Sequence, residues 1–227
     1  LTVAAAVVAV CLVVTIWHFV GGPDPTDKLA SKDPLERQEA VAALAAAADT
    51  DAGLDRIAKA VKSENVAVAC SALQALAVST GPDKPLPEQR VKVVESATRD
   101  TRPVVQLAAI QALEATTPKL PEDKTVPTIV LKTFVDANTP EVRAAAANAL
   151  GKFQYWEAME SLINAMEDDS PEVRGSAGTA VRKILGLDYG FRANAPLGQR
   201  EAVVARLRQE WRAQLPFHQD YARRVHQ

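Results

Sequence analysis

The sequence predicts an all-α protein, an α-solenoid of about five helical hairpins preceded by one transmembrane helix. Three observations carry that reading. The composition favours helix, with 41 alanines against 10 glycines and few β-branched runs beyond residue 20. A pattern of twelve residues recurs five times along the chain. The first 20 residues hold no formally charged side chain, while the remaining 207 hold all 26 Lys+Arg and all 28 Asp+Glu.

Leu1 to Val20 reads LTVAAAVVAVCLVVTIWHFV. At about 1.5 Å per helical residue the block spans roughly 30 Å, the thickness of a bilayer's hydrocarbon core. A secretory signal would have a shorter apolar region of about 7–15 residues and a small-residue cleavage site. The exit here, Trp17-His18-Phe19-Val20-Gly21-Gly22, has no Ala-x-Ala. Cys11 raises a lipoprotein alternative, but Val10 before it is large for such a motif and the apolar run continues to Val20. The block is therefore expected to anchor the chain in a lipid bilayer as a single span, with Trp17 and His18 at headgroup level. Beyond it Lys28, Lys32 and Arg37 are diluted by Asp24, Asp27, Asp33 and Glu36. That flank favours a domain outside the cytoplasm, on the periplasmic side. Residues 21–31 read as a linker.

The repeats follow, over residues 32–187. PEVRAAAANALG from Pro140 aligns with PEVRGSAGTAVR from Pro171, PVVQLAAIQALE from Pro103, VAVACSALQALA from Val66 and PLERQEAVAALA from Pro34. The starts are separated by 32, 37, 37 and 31 residues, a period that signals stacked units. The third, seventh, tenth and eleventh places stay small or apolar, for example Val142, Ala146, Ala149 and Leu150, which draws one stripe on a helix. The first copy has Glu36 at the third place, as suits a terminal repeat with one wet side. Proline opens four of the five copies, at a position whose N–H has no intrahelical partner. A second amphipathic segment precedes four copies, marked by Leu54 and Ile57, Val91 and Val94, Val126 and Val130, and Leu162 and Ile163. Each pair is a helical hairpin. Pro-rich links at Ser79 to Gln89 and Thr117 to Pro127 account for the longer periods.

The pattern Asp136-x-x-x-Pro140-Glu141-Val142-Arg143, continued by Ala146, Ala149, Leu150 and Gly151, resembles HEAT repeats, particularly the short bacterial type related to phycobilisome-lyase repeats. The resemblance covers roughly Lys32 to Leu187. It implies a ladder of acidic residues and arginines between adjacent repeats. Arg37, Arg143 and Arg174 occupy the arginine place, and Ala69 and Gln106 do not. Such a fold fixes no chemistry by itself.

In stacked hairpins the second helices line the concave surface. The ninth places of four copies, Gln74, Gln111, Asn148 and Thr179, form a row of neutral hydrogen-bonding groups. That row reads either as a groove for a partner's peptide segment or as ordinary solvation of a helix.

The C-terminal region differs in kind. A loop from Asp188 to Pro196 follows Gly186, and a helix from about Gly198 to Ala213 carries Val203, Leu207 and Trp211 at four-residue spacing. Residues 188–213 are expected to cap the repeats. Residues 214–227 form an unpatterned tail whose Phe217, Tyr221, Arg223 and Arg224 are of the types that anchor interfaces. From Arg182 onward nine Lys+Arg meet four Asp+Glu, a local +5, against 17 and 24 from Gly21 to Val181.

Together these features predict a non-catalytic, membrane-anchored scaffold or accessory subunit that binds protein subunits of a membrane complex. No catalytic residue, metal site or cofactor is expected. The two cysteines and three histidines are too few and too scattered for an iron, zinc or disulfide site. Neither a small-molecule substrate nor nucleic acid is expected, given a net charge of −2 and repeats that sum to negative charge. The alternatives implied by the resemblance are an enzyme of the bilin-lyase kind and a nucleic-acid binder using Arg200, Arg206, Arg208 and Arg212.

Overall fold

The computed structural model describes residues 24–79, 87–116 and 123–225, Thr116 and the last eight without their side chains. Among them lie ten α-helices and no strand. The helices are α1 (Pro34–Ala47), α2 (Asp51–Val61), α3 (Val66–Ser79), α4 (Glu88–Thr98), α5 (Pro103–Thr116), α6 (Thr125–Asp136), α7 (Pro140–Phe153), α8 (Met159–Ala165), α9 (Pro171–Leu185) and α10 (Leu197–Val225). All five copies of the repeat are helices with the predicted starts, and the four preceding segments are helices as well. The two Pro-rich links lie largely outside the described residues.

Short polar side chains set the helix entries. Asp33 accepts from the Leu35 amide at 2.9 Å, Asn65 from Ala67 at 2.9 Å, Asp100 from Arg102 at 2.8 Å, and Asp123 from Thr125 at 3.0 Å. Each occupies a donor that the first helical turn leaves without an internal partner. At the far end, Gly186 adopts φ +70° and closes α9 in the left-handed conformation that glycine tolerates best.

The chain divides into two compact units, residues 1–126 and 127–227. In the first, α2 pairs with α3 and α4 with α5, while the inner helices stack α1 on α3 and α3 on α5. Leu44, Ile57, Leu73, Leu76, Ile110 and Leu113 are fully buried there. In the second, α8 pairs with α9, α7 packs along α9, and α10 lies against α8. Its core is Leu150, Met159, Leu162, Ile163 and Met166.

The predicted stripe is buried nearly throughout; Val68 and Ala43 are half-buried. The eighth place, which the stripe did not include, is equally buried as Val41, Leu73, Ile110 and Ala147. Small residues bring the stacked helices close. A Cβ placed on Gly151 of α7 would lie 2.6 Å from the Ala180 Cα of α9, so the two backbones meet where only glycine fits.

The single-pass membrane assignment, with a domain on the periplasmic side, is corrected. Among the described residues no helix is long and apolar enough to cross a membrane. With 29 residues α10 has the length, but charged side chains such as Arg200, Arg206, Arg208 and Arg212 recur along it. Residues 1–20, on which the assignment rested, lie outside the described residues.

The C-terminal end also differs from expectation. One helix runs from Leu197 to Val225 through Pro216, where a helix ending near Ala213 and an unpatterned tail were predicted. Proline removes one hydrogen bond to the carbonyl four residues earlier. Arg212, Ala213 and Gln214 are exposed, so water can satisfy that carbonyl. The buried ridge of α10 is Val204, Leu207 and Trp211, with Val203 at its edge.

Candidate protein-binding surface

The arginine ladder is present in part: Arg143 forms an acidic rung, whereas Arg37 donates to the Ser31 carbonyl of its own N-terminal segment. In the second unit Arg143 of α7 reaches Asp168, before α9, through Nε to Oδ2 and Nη2 to Oδ1, both at 3.1 Å. The same carboxylate accepts from the Ser170 amide at 2.8 Å and so orients the entry to α9. A two-pronged contact of this kind is among the stronger side-chain pairings. At the next rung no acidic partner is present among the described residues. Arg174 instead donates to the carbonyls of Asp168 and Asp169 at 2.9 Å and to Ala193 of the C-terminal loop at 3.0 Å.

In the first unit the arginine comes from an unexpected position. Ala69 and Gln106 leave the usual place empty, but Arg102, just before α5, donates to the Ser63 and Glu64 carbonyls of the preceding hairpin at 2.7 and 3.0 Å. Asp100 holds it there, at 2.8 Å to both Nε and Nη2. These hydrogen bonds, above all that from the Arg102 side chain, lower the Asp100 pKa despite partial burial. Arg102 lies outside the repeating segment, so the motif does not signal it. The buried Arg90 on α4 links Asp49 to Ser79.

With the stripe and the ladder used for stacking, the remaining faces of the inner helices meet solvent. Gln74 on α3 and Gln111 on α5 are exposed. Asn148 is exposed as well, but donates to Ser176 Oγ on α9 at 3.1 Å, so part of its hydrogen-bonding capacity already serves the stack. Thr179 is half-buried and lines a cleft. In the first unit apolar groups join the exposed surface, with Leu35, Val78 and Val104 each more than half exposed.

The cleft in the second unit has a volume of about 250 Å³ and lies between α9, the loop after Gly186 and α10. Its walls include Met166, Leu187 and Leu207 together with the aromatic rings of Tyr189 and Phe191. Arg182 and Arg192 stand on its lining. Burial, followed by a hydrogen bond to Glu210, raises the Tyr189 phenol pKa, and Arg206 lies over the ring at 5.4 Å.

The basic C-terminal residues are largely occupied. Arg200 donates to the Ala195 carbonyl at 3.1 Å, Arg206 to Tyr189 at 3.0 Å, and Arg208 to Asn164 at 3.1 Å and to Glu167. Arg212 is exposed. Trp156 and Trp211 meet with ring centroids 6.4 Å apart. Of the four tail residues singled out from the sequence, Phe217 is 77% exposed. The side chains of Tyr221, Arg223 and Arg224 lie outside the described residues.

Among the described residues no group of three or more His, Cys, Asp and Glu could hold a metal ion. Burial raises the Cys70 thiol above its ordinary pKa, the opposite of what a nucleophile needs.

Stacked helical hairpins that spend their recurring apolar and arginine side chains on each other define a helical-repeat protein. The family profile for HEAT repeats matches residues 23–119 and 127–197, and the chain belongs to that family. HEAT repeats generally mediate protein–protein interaction. The chain is similar to the uncharacterized phycocyanin operon protein Z of Pseudanabaena tenuis (strain PCC 7409), with 29% identity over 144 residues, 61% of this chain and 67% of the relative. An engineered protein of known crystal structure shares 22% identity and a TM-score of 0.46, over 76% of this chain and 83% of that one.

Proposed function

We propose that the chain is a non-catalytic scaffold or accessory protein that holds partner proteins on the exposed faces of its inner helices. The observation that carries this reading is the division of labour on those helices. The apolar stripe and the arginines build the stack, and Gln74 and Gln111 are left at the surface on neighbouring helices. Neutral hydrogen-bonding groups on a rigid scaffold can meet a partner's polar groups without the desolvation cost of a charge. The raised thiol of Cys70 and the committed arginines of α10 support a binding role over a chemical one.

The test is isolation of the tagged full chain from its own cells, followed by reconstitution with the purified protein it retains. Gln74→Arg and Gln111→Arg together should weaken that complex by about tenfold, a loss of roughly 1.4 kcal/mol. Full-strength binding by the double variant would remove the inner-helix surface from the interface.

A second reading comes from the relative named for a phycocyanin operon, and it is the bilin-lyase alternative. Phycocyanin is therefore one partner to test. A scaffold should bind it and leave its chromophore absorbance unchanged. Covalent transfer of a bilin to an apoprotein by the chain would replace the scaffold reading with an enzymatic one.

A further inference from the structure

We propose that the cleft between α9, the loop after Gly186 and α10 is a docking pocket for a short acidic peptide segment of a protein partner, one large apolar side chain entering it while flanking carboxylates meet Arg182 and Arg192. The proposal deepens the scaffold reading and rests on it.

Size argues first. At about 250 Å³ the cleft is below the roughly 300–1,000 Å³ typical of small-molecule sites, and suits one or two side chains. Its walls supply the matching chemistry, since Met166, Leu187 and Leu207 are apolar and Phe191 offers a ring. Interface anchors seat in pockets that offer such apolar contacts.

Charge selects among apolar segments. Arg182 is exposed in the last turn of α9, and among the described residues its guanidinium makes no hydrogen bond or ion pair. Arg192 is 69% exposed, donates to the neighbouring Phe191 carbonyl at 2.9 Å, and meets Asp188 only at 3.8 Å. The contrast with the other arginines of this unit is informative. Arg143, Arg174, Arg200, Arg206 and Arg208 all reach across to another segment of the unit. Among the described arginine side chains of the unit Arg182, Arg192 and Arg212 do not, and the first two stand on the cleft, where a guanidinium can receive a carboxylate through paired hydrogen bonds. Asp188, also on the lining, opposes a second acidic group on its own side and favours approach past Arg182.

The backbone shapes the wall. Gly178 makes room for the Phe191 ring that lines the cleft, and Thr179 also stands on the lining. Thr179 is also the ninth-place residue of α9, so the pocket lies on the same register as the polar row on the other inner helices.

The experiment uses the full chain and a fluorescein-labelled peptide in which one Leu is flanked on each side by two Glu. Two controls replace Glu by Lys, or Leu by Gly. Anisotropy should show saturable binding of the first peptide only, and amide resonances of Gly175, Gly178 and Thr179 should shift with it. Arg182→Gln, an exposed change that leaves the core intact, should weaken binding by about tenfold, and Arg192→Gln by less because of its Asp188 contact. Equal binding of the Lys peptide, loss of no affinity in Arg182→Gln, or no binding at all overturns the pocket assignment. If the natural partner still binds in that last case, the pocket falls and the scaffold reading stands. Loss of the natural partner's binding in Gln74→Arg/Gln111→Arg, with peptide binding unchanged, separates the two surfaces in the other direction.

Discussion

Phe191 seats its ring against Gly178, so closely that a Cβ on the glycine would lie 2.7 Å from Phe191 Cδ1. Gly178 is the eighth place of α9, and in α7 the eighth place, Ala147, is buried. The C-terminal loop therefore occupies the face on which another repeat would stack, and Arg174 fastens it through the Ala193 carbonyl. Gly178→Ala sets two effects against each other. Removing a helical glycine contributes about 0.5–1 kcal/mol, while the new methyl forces the ring outward. The expected outcome is a thermal midpoint nearly unchanged and faster amide exchange or proteolysis across residues 188–195. A loop as protected as in the wild type would show that Phe191 adapts in place.

Gly151 is different because its neighbour is backbone. The Ala180 Cα lies 2.6 Å from where the Cβ would be, and neither helix can move without disturbing the buried stripe. Gly151→Ala should destabilise the second unit by about 2 kcal/mol, overriding the helix-propensity gain. Urea unfolding followed by Trp156 and Trp211 fluorescence measures it.

Arg143 and Asp168 provide the third test. Both side chains are mostly buried, at 23% and 17% exposure, so solvent screens them less than a surface pair. A double-mutant cycle with Arg143→Met and Asp168→Asn should give a coupling of about 1–3 kcal/mol. Asparagine keeps an acceptor for the Ser170 amide and confines the cycle to the ion pair. Coupling below about 0.5 kcal/mol would place the pair with ordinary surface ion pairs.

The repeats were legible because stacking demands the same small residues at the same places in every copy, from Ala72 and Ala75 to Ala146 and Ala149. The eighth place escaped notice because packing accepts Val41, Leu73, Ile110 or Ala147 there, and glycine in the last copy. Arg102 was missed for a related reason. Its guanidinium performs the rung's task from outside the motif, and only the three-dimensional path of the chain shows which carbonyls it meets. The capping role of Phe191 depends on a loop folding back, which no helical period encodes. The last helix, expected to end near Ala213, continues through Pro216 because a lost hydrogen bond is costly in a core and inexpensive beside water. Of the polar row, Gln74 and Gln111 were legible as surface groups, whereas the engagement of Asn148 with Ser176 required the neighbouring helix.

Asp100 and Arg102 give the stability of the first unit a pH dependence with a definite sign. The arginine holds the Asp100 pKa below its ordinary value, so near pH 4 the unfolded chain binds more protons at this site than the folded one. The contribution is therefore full above the unfolded value of about 3.9 and disappears as pH falls through the lower folded value. Asp24 and Glu88 are shifted in the same direction, and comparison with Asp100→Asn cancels their share. At pH 7 that variant should be less stable than the wild type by about 1–2 kcal/mol, somewhat under the roughly 1.5–3 kcal/mol of hydrogen bonds to a charged group because the pair is partly exposed. The gap should narrow steadily in urea titrations at successively lower pH below 4. A difference that stays constant across that range would mean that Asp100 acts through its hydrogen-bonding shape and not through its charge.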